Sequence, residues 1–212
     1  MSSSKVITLG GKREEELFRI SQKLPLNTFP LSRSSSSSHL IDEVFALTSV
    51  LEDFRIEHGF GRAVAAPQIG LHYRIIAINL PASHLVFNSD SVEIQKNSKG
   101  TFLMFNPDIY WRSDETFTLW DDCMSFPDLL VRVRRHLSIS LKWIDVNGCE
   151  HVWDRVPQDV SELLQHEIDH LDGILATSRA ASKQDIIQKE DYVKSKAQYD
   201  TNVDYVIAPL NP

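Results

Sequence analysis

The sequence predicts an α+β fold in which antiparallel sheets pack around a central helix that carries an HExxH motif. Residues 157–173 show an apolar period of 3.6 residues between helix start and stop signals, which predicts that helix. Several short segments rich in β-branched and aromatic residues predict strands. The turn Asn147-Gly148 follows one of them and is typical of an antiparallel hairpin. With 212 residues and 42% hydrophobic content, the chain can form one substantial core.

The elements follow in order along the chain. Residues 34–38 form a serine run, which predicts a loop, and an apolar helical period from Leu40 to Phe54 predicts a helix that ends before Gly59. Strands are predicted at residues 74–80, 101–106, 109–111, 116–120, 137–144 and 150–153. Residues 83–99 are polar and predict a loop or insertion, and a last helix is expected over residues 183–197.

The HExxH motif contributes two histidines and one glutamate to a single helix. His166 and His170 are four residues apart, so their rings lie one turn apart on the same face and can bind one metal ion. Glu167 falls within an apolar arc, where a carboxylate would need a polar neighbour. Four other residues are expected on a solvated face: Glu162, Gln165, Asp169 and Asp172.

A bare HExxH pattern fits an ordinary helix with two surface histidines as well as it fits a metal site. In an HExxHxxGxxH pattern the third ligand would be at Ala176, which cannot bind metal. A zinc protease with a glutamate as its third ligand would have to use Glu190, but this residue lies in a strongly charged segment that is expected to be exposed. Cys123 could supply a thiolate ligand. Taken alone, it could equally be a small buried residue or form a disulfide with Cys149.

Three segments in this order resemble the signature motifs of the peptide deformylase family. Residues 61–68, 121–125 and 165–170 correspond to the family patterns GxGxAAxQ, EGCxS and QHExxH. The resemblance spans residues 17–197, and it divides the chain into an N-terminal extension over residues 1–16, one deformylase-like domain, and a C-terminal tail over residues 198–212. It implies the family's fold, with antiparallel sheets around the HExxH helix.

The resemblance also implies a catalytic metal site. Its ligands would be Cys123, His166 and His170, and Glu167 would be the acid and base. The ion would be divalent, with Fe²⁺ expected in vivo and Zn²⁺, Ni²⁺ or Co²⁺ able to use the same ligands. By the same resemblance, the Gln68 side chain and the Met124 backbone N–H would stabilise the oxyanion.

Several departures from the family pattern fall on the loops that would form the substrate groove. These loops contain Gly61, Arg62, Ala63, Asp121 and Asp122. Ala63 and Asp122 stand at glycine positions, Asp121 replaces glutamate, Arg62 replaces an apolar pocket residue, and Leu130 stands where an arginine is usual. We hypothesise an ion pair between Arg62 and Asp122 across the groove.

Two functions follow from this resemblance. The first is hydrolysis of the formyl group from N-formylmethionyl peptides or nascent chains, with release of formate. The alternative is a metal-binding homologue with an altered groove that serves another substrate without deformylation. A net charge of −7 argues against nucleic-acid binding, and no apolar run reaches membrane-spanning length. A thiolate ligand implies a reducing compartment: the cytoplasm of a bacterium, or the mitochondrion or plastid of a eukaryote.

Overall fold

The computed structural model describes residues 6–31, 39–81, 85, 94 and 96–207. The predicted loop at residues 34–38 and most of the one at 83–99 lie outside these ranges. The predicted α+β class is confirmed: the described residues form helices and two antiparallel sheets. Within this part of the chain, no helix combines the length and apolar character that a membrane span requires.

Two long helices and two short ones occur in the described residues. They are α1 (His39–His58), α2 (Gln158–Leu171), α3 (Lys189–Lys194) and α4 (Lys196–Asp200). The strands are β1 (Ala63–Ala65), β2 (Ile75–Ile78), β3 (Phe102–Arg112), β4 (Thr116–Asp121), β5 (Leu129–His136), β6 (Ile139–Ile144), β7 (Glu150–Trp153) and β8 (Ile186–Gln188). Short 3₁₀ segments connect several of these elements.

The strands form one sheet with the order β1-β2-β3-β6-β7 and a second with the order β4-β5-β8. All neighbouring strands are antiparallel. Helix α2 contacts β1 of the larger sheet and β5 of the smaller one, so it lies between them. Helix α1 covers the opposite face of the larger sheet. Because both of its faces are covered, β2 is buried at every position instead of alternating.

The structure confirms several predicted elements and corrects others. The hairpin at Asn147-Gly148 joins β6 to β7, and Gly148 adopts φ 85°, as such a turn requires. The two strands predicted at residues 101–106 and 109–111 are one strand, β3, with irregular pairing to β6 around Asn106, which adopts φ 50°. Strand β5 has no counterpart in the sequence analysis, because Arg132, Arg134 and other charged residues obscure its alternation.

The predicted helix over residues 183–197 is wrong over its first part, residues 183–188, and is interrupted at Ser195. This segment forms a 3₁₀ turn, then β8, and then α3 and the start of α4. Strand β8 completes the smaller sheet by pairing with β5. Ile186 and Ile187, which fall within the predicted helix, therefore belong to a sheet edge, a long-range pairing that local periodicity does not reveal.

The expected solvated face of α2 is also wrong at three of four positions. Glu162, Gln165 and Asp169 are buried, and only Asp172 is exposed. Arginines from other elements contact Glu162 and Asp169, while Gln165 hydrogen-bonds the backbone of His136. The helix is enclosed on every side, so its polar residues face partners inside the protein.

Candidate active site

Three potential ligands converge on one point where the two sheets meet α2. Cys123 lies two residues after the end of β4, while His166 and His170 lie one turn apart on α2. The Cys123 Sγ atom is 3.2 Å from His170 Nε2, which is 3.2 Å from His166 Nε2. All three residues are buried, and their ligand atoms lie within 4.8 Å of one another. The structure thus brings together the three ligands that the resemblance implied.

The donor set and its spacing fit a divalent metal ion. In a tetrahedral zinc site, ligand atoms on neighbouring corners lie about 3.4 to 3.6 Å apart, close to the separations found here. Burial raises the pKa of the Cys123 thiol, because a thiolate at this buried position is shielded from water. A cation held by the three residues would provide the missing stabilisation of the thiolate.

The Asp121 carboxylate fixes the orientation of one ligand. Its Oδ1 atom is 2.9 Å from His166 Nδ1, and its Oδ2 atom accepts a hydrogen bond of 2.8 Å from Arg135 Nη2. Arg135, from β5, also donates to Asp169 on α2. Burial would raise the pKa of Asp121, but His166 and Arg135 outweigh burial and hold it well below its usual range. This network leaves His166 Nε2 directed at the other ligands.

Gln68 lies beside the thiol on the 3₁₀ segment Ala66–Ile69. Its side-chain oxygen accepts a hydrogen bond of 2.8 Å from the Ala65 N–H, which fixes the amide with its NH₂ group toward the site. That NH₂ group is 3.1 Å from Ser125 Oγ and 3.6 Å from Cys123 Sγ. Met124 is buried next to Cys123 and lines the same cavity. Gln68 and Met124 thus line the same cavity as Cys123.

Glu167 is 3% exposed and lines the cavity beside the ligands. Among the described residues, no group hydrogen-bonds its Oε2 atom. Burial raises the pKa of this carboxyl to about 7, although His166 acts in the opposite direction. A carboxyl group with a pKa near neutrality and a free oxygen is suited to both accept and deliver a proton.

The proposed ion pair between Arg62 and Asp122 is not present, and each residue has another partner. Arg62 Nη2 lies 2.5 Å from Glu162 Oε1 on α2. Asp122 Oδ2 is 3.9 Å from Lys189 Nζ, and this ammonium group lies 3.9 Å from the centre of the Phe60 ring. Sequence analysis missed Glu162 because it was assigned to the solvated face, although its place one turn before His166 was a usable signal.

The ligands open into a cavity of about 330 Å³ between the edges of the two sheets. Among its lining residues are all five groove residues expected from the sequence: Gly61, Arg62, Ala63, Asp121 and Asp122. The carboxylate of Asp121, however, contacts His166 and Arg135, as described above.

Both ends of the described chain contact the site. Ile7 and Leu9 donate backbone hydrogen bonds to Gln68 and Ser125, respectively. At the other end, Tyr205 forms an isolated β-bridge with Leu119 of the edge strand β4, and Tyr205, Val206 and Ile207 line the cavity. The predicted division into extension, domain and tail stays a prediction, but residues on both sides of the domain help to build the site.

Comparison with known proteins gives the same family that the motifs suggested. A sequence model described as polypeptide deformylase matches residues 14–185. A peptide deformylase from Brachyspira hyodysenteriae is 33% identical over 145 residues, which are 68% of this chain and 68% of that protein. One from Chlorobium phaeobacteroides is 31% identical over 193 residues, covering 84% of this chain and 92% of the relative.

Solved structures with the same fold include a peptide deformylase from Ehrlichia chaffeensis in complex with actinonin. It has a TM-score of 0.61 and 25% identity, and the match covers 94% of this chain and 98% of that one. The Plasmodium falciparum peptide deformylase matches with a TM-score of 0.63 at 20% identity, covering 94% of this chain and 96% of that one, which shows similarity of fold.

Proposed function

The chain belongs to the polypeptide deformylase family, and we propose that it uses the Cys123, His166 and His170 site to hydrolyse the formyl group of N-formylmethionyl peptides. The products are formate and a peptide with a free amino-terminal methionine. The observation that carries the proposal is the convergence of the three ligand atoms beside Glu167, inside a cavity that opens between two sheet edges.

The family is metal-dependent, and the donor set here supports a single divalent cation held by Cys123, His166 and His170. We propose Fe²⁺ as the ion used in vivo, with Zn²⁺, Ni²⁺ and Co²⁺ as possible replacements. When bound, the ion supplies Lewis-acid chemistry, which polarises a carbonyl group and makes a water molecule more acidic.

The remaining chemistry is assigned to residues of the chain. Glu167 accepts the proton of the attacking water and then delivers it to the amine nitrogen as the C–N bond breaks. The tetrahedral intermediate carries negative charge on the former formyl oxygen. The Gln68 side-chain NH₂ group, fixed by Ala65, and the Met124 backbone N–H are assigned as donors to that oxygen.

We further propose that the protein works in a reducing compartment, because a thiolate ligand must escape oxidation. This is the cytoplasm of a bacterium, or the mitochondrion or plastid of a eukaryote. The partner is a formylmethionyl peptide or nascent chain, and neither membrane nor nucleic-acid binding is expected. Cell fractionation with an antibody against the protein tests this, and recovery from the oxidising secretory compartment would contradict it.

Formate release from formyl-Met-Ala-Ser by iron-loaded protein, prepared without oxygen, tests the proposed reaction. We expect turnover that a chelator abolishes and that added Fe²⁺ restores, with no cleavage of the same peptide lacking the formyl group. Fully metal-loaded protein that releases no formate with iron, nickel, cobalt or zinc would instead favour the metal-binding homologue without deformylase activity.

A further inference from the structure

The position of the metal ligands restricts where the first side chain of a formyl peptide can lie. This inference rests on the proposed function, in which the formyl carbon lies at the ligand cluster. Only the amide nitrogen separates that carbon from the first Cα atom. The first side chain therefore begins within a few ångströms of the ligands and extends into the adjoining part of the cavity.

A buried ion pair occupies this part of the cavity. Glu162 is four residues before His166 on α2, so it lies one turn, about 5 Å, along the same face. The Glu162 side chain is 1% exposed and that of Arg62 is 13% exposed, and both residues line the cavity. Arg62 Nη1 also donates to the Asp159 carbonyl at 3.2 Å, which anchors the guanidinium group to the first turn of α2.

Asp121 and Glu167 are buried beside the ligand cluster. The other charged side chains that line the cavity, apart from the ligands, are more exposed, and each is paired with a nearby residue. Lys189 and Asp122 are about one-third exposed and lie 3.9 Å apart, and Lys196 lies 2.5 Å from Asp200. The remaining walls near the ion pair are largely apolar and include Ala63, Leu130 and Leu163. The Arg62 and Glu162 pair is thus the principal buried polar feature facing the first side chain outside the ligand cluster.

We propose that Arg62 and Glu162 determine specificity, and that the pocket binds a first residue with a hydrogen-bonding amide side chain at least as well as methionine. Arg62 has N–H donors beyond those that contact Glu162 and Asp159, and Glu162 has a second oxygen. Glutamine resembles methionine in length and can both accept from the guanidinium and donate to the carboxylate. A methionine side chain displaces water from the ion pair, and its thioether sulfur is only a weak hydrogen-bond acceptor.

Binding of two product tripeptides tests this proposal without requiring turnover. Isothermal titration of zinc-loaded protein with Met-Ala-Ser and Gln-Ala-Ser should give a Kd for the glutamine peptide equal to or below that for the methionine peptide. In a double variant, Arg62→Ile with Glu162→Leu, both charges are removed together. The ratio of the Kd for Gln-Ala-Ser to the Kd for Met-Ala-Ser should then rise at least tenfold.

A matched control removes a different ion pair made by the end of the same helix. Arg74 Nη1 lies 2.6 Å from Asp172 Oδ1, and neither residue lines the cavity. Arg74→Ile with Asp172→Ala should leave the ratio of Kd values unchanged. Arg62→Lys, which retains the charge, should keep the ratio within a few-fold of the original.

Two results would overturn the inference. One is a Kd of the unmodified protein for Gln-Ala-Ser that is more than twofold above its Kd for Met-Ala-Ser, a result that needs no variant to fold. The other is an unchanged ratio in the double variant. Formate release from the formylated tripeptides is measured separately. Absence of formate together with the expected Kd ratios would refute the proposed reaction alone, whereas formate release with unchanged ratios would refute this inference alone.

Discussion

The Asp121 carboxylate lies 2.9 Å from His166 Nδ1, although the two residues come from different elements, β4 and α2. The same carboxylate is held from its other side by Arg135 of β5. A carboxylate on the outer nitrogen of a ligand histidine fixes its ring and increases its basicity. The smaller sheet therefore contributes to the candidate metal site twice: through this carboxylate and through Cys123, which follows β4.

Replacing Asp121 should weaken metal binding without removing a ligand. In Asp121→Asn the negative charge next to His166 is lost, and we expect metal affinity to fall about 10- to 100-fold. Competition with a chelator of known affinity measures this. Asp108→Asn, at an exposed site of β3, serves as the control and should bind metal normally. An affinity in Asp121→Asn equal to that of the control would contradict the assigned role.

Glu167→Gln should abolish most of the turnover while leaving the metal in place. The amide has nearly the same shape but cannot accept the proton of water, so kcat should fall by about 10²- to 10⁴-fold. Formate release and metal content are measured on the same sample. Glu150→Gln, at an exposed hairpin position, is the matched control. Retention of activity in Glu167→Gln would refute the acid and base role.

Gln68→Ala should lower kcat more than it changes KM. The side-chain NH₂ group is assigned to the oxyanion, which develops only as the reaction proceeds, so its loss should reduce kcat by about 10²- to 10³-fold. Because this group also lies 3.6 Å from Cys123 Sγ, metal content must be measured in parallel. Gln198→Ala on α4 is the control. A rise in KM with kcat unchanged would assign Gln68 to ground-state binding instead.

Glu162→Gln should remove a pH dependence of stability. Burial raises the pKa of Glu162 to about 7, with Arg62 acting in the opposite direction. The folded state therefore holds a proton that the unfolded state, with an ordinary carboxyl pKa near 4.5, releases. Between these two values the folded state binds more protons, so the contribution of this group to the free energy of unfolding falls as pH rises.

Urea unfolding at several pH values between 4.5 and 8 measures this effect. Relative to Glu162→Gln, the unmodified protein should lose up to about 3 kcal/mol as pH rises through this window. The comparison uses the same metal loading throughout. A difference between the two proteins that stays constant with pH would show that Glu162 titrates normally in the folded state.

The sequence predicted those parts of the structure that depend on local pattern. The apolar arc of α2, with Leu164 and Ile168, and the turn at Asn147-Gly148 are local signals, and both are present as expected. A helical wheel, however, assumes that one face of a helix meets water. Helix α2 has partners on all sides, and so Glu162 and Asp169 are buried against arginines that lie far away in sequence.

The predictions that failed concern pairing between distant segments. Arg62 was expected to contact Asp122 because both lie on loops of the same groove, but Glu162 lies closer to the guanidinium. In β5, Val131 and Val133 are buried in alternation with Arg132 and Arg134, and Arg135 continues the buried series. A buried arginine breaks the apolar pattern of a strand. Its burial can be predicted only when its carboxylate partners, here Asp121 and Asp169, are known.

The contact of Tyr205 with Leu119 has a consequence for the order in which this protein is completed during translation. Cys123, His166 and His170 all leave the ribosome before residues 205–207, which line one side of the cavity. A growing chain thus carries its full set of ligands while one side of the cavity is still open. The opening would allow a cation to reach these three side chains before residues 205–207 cover it.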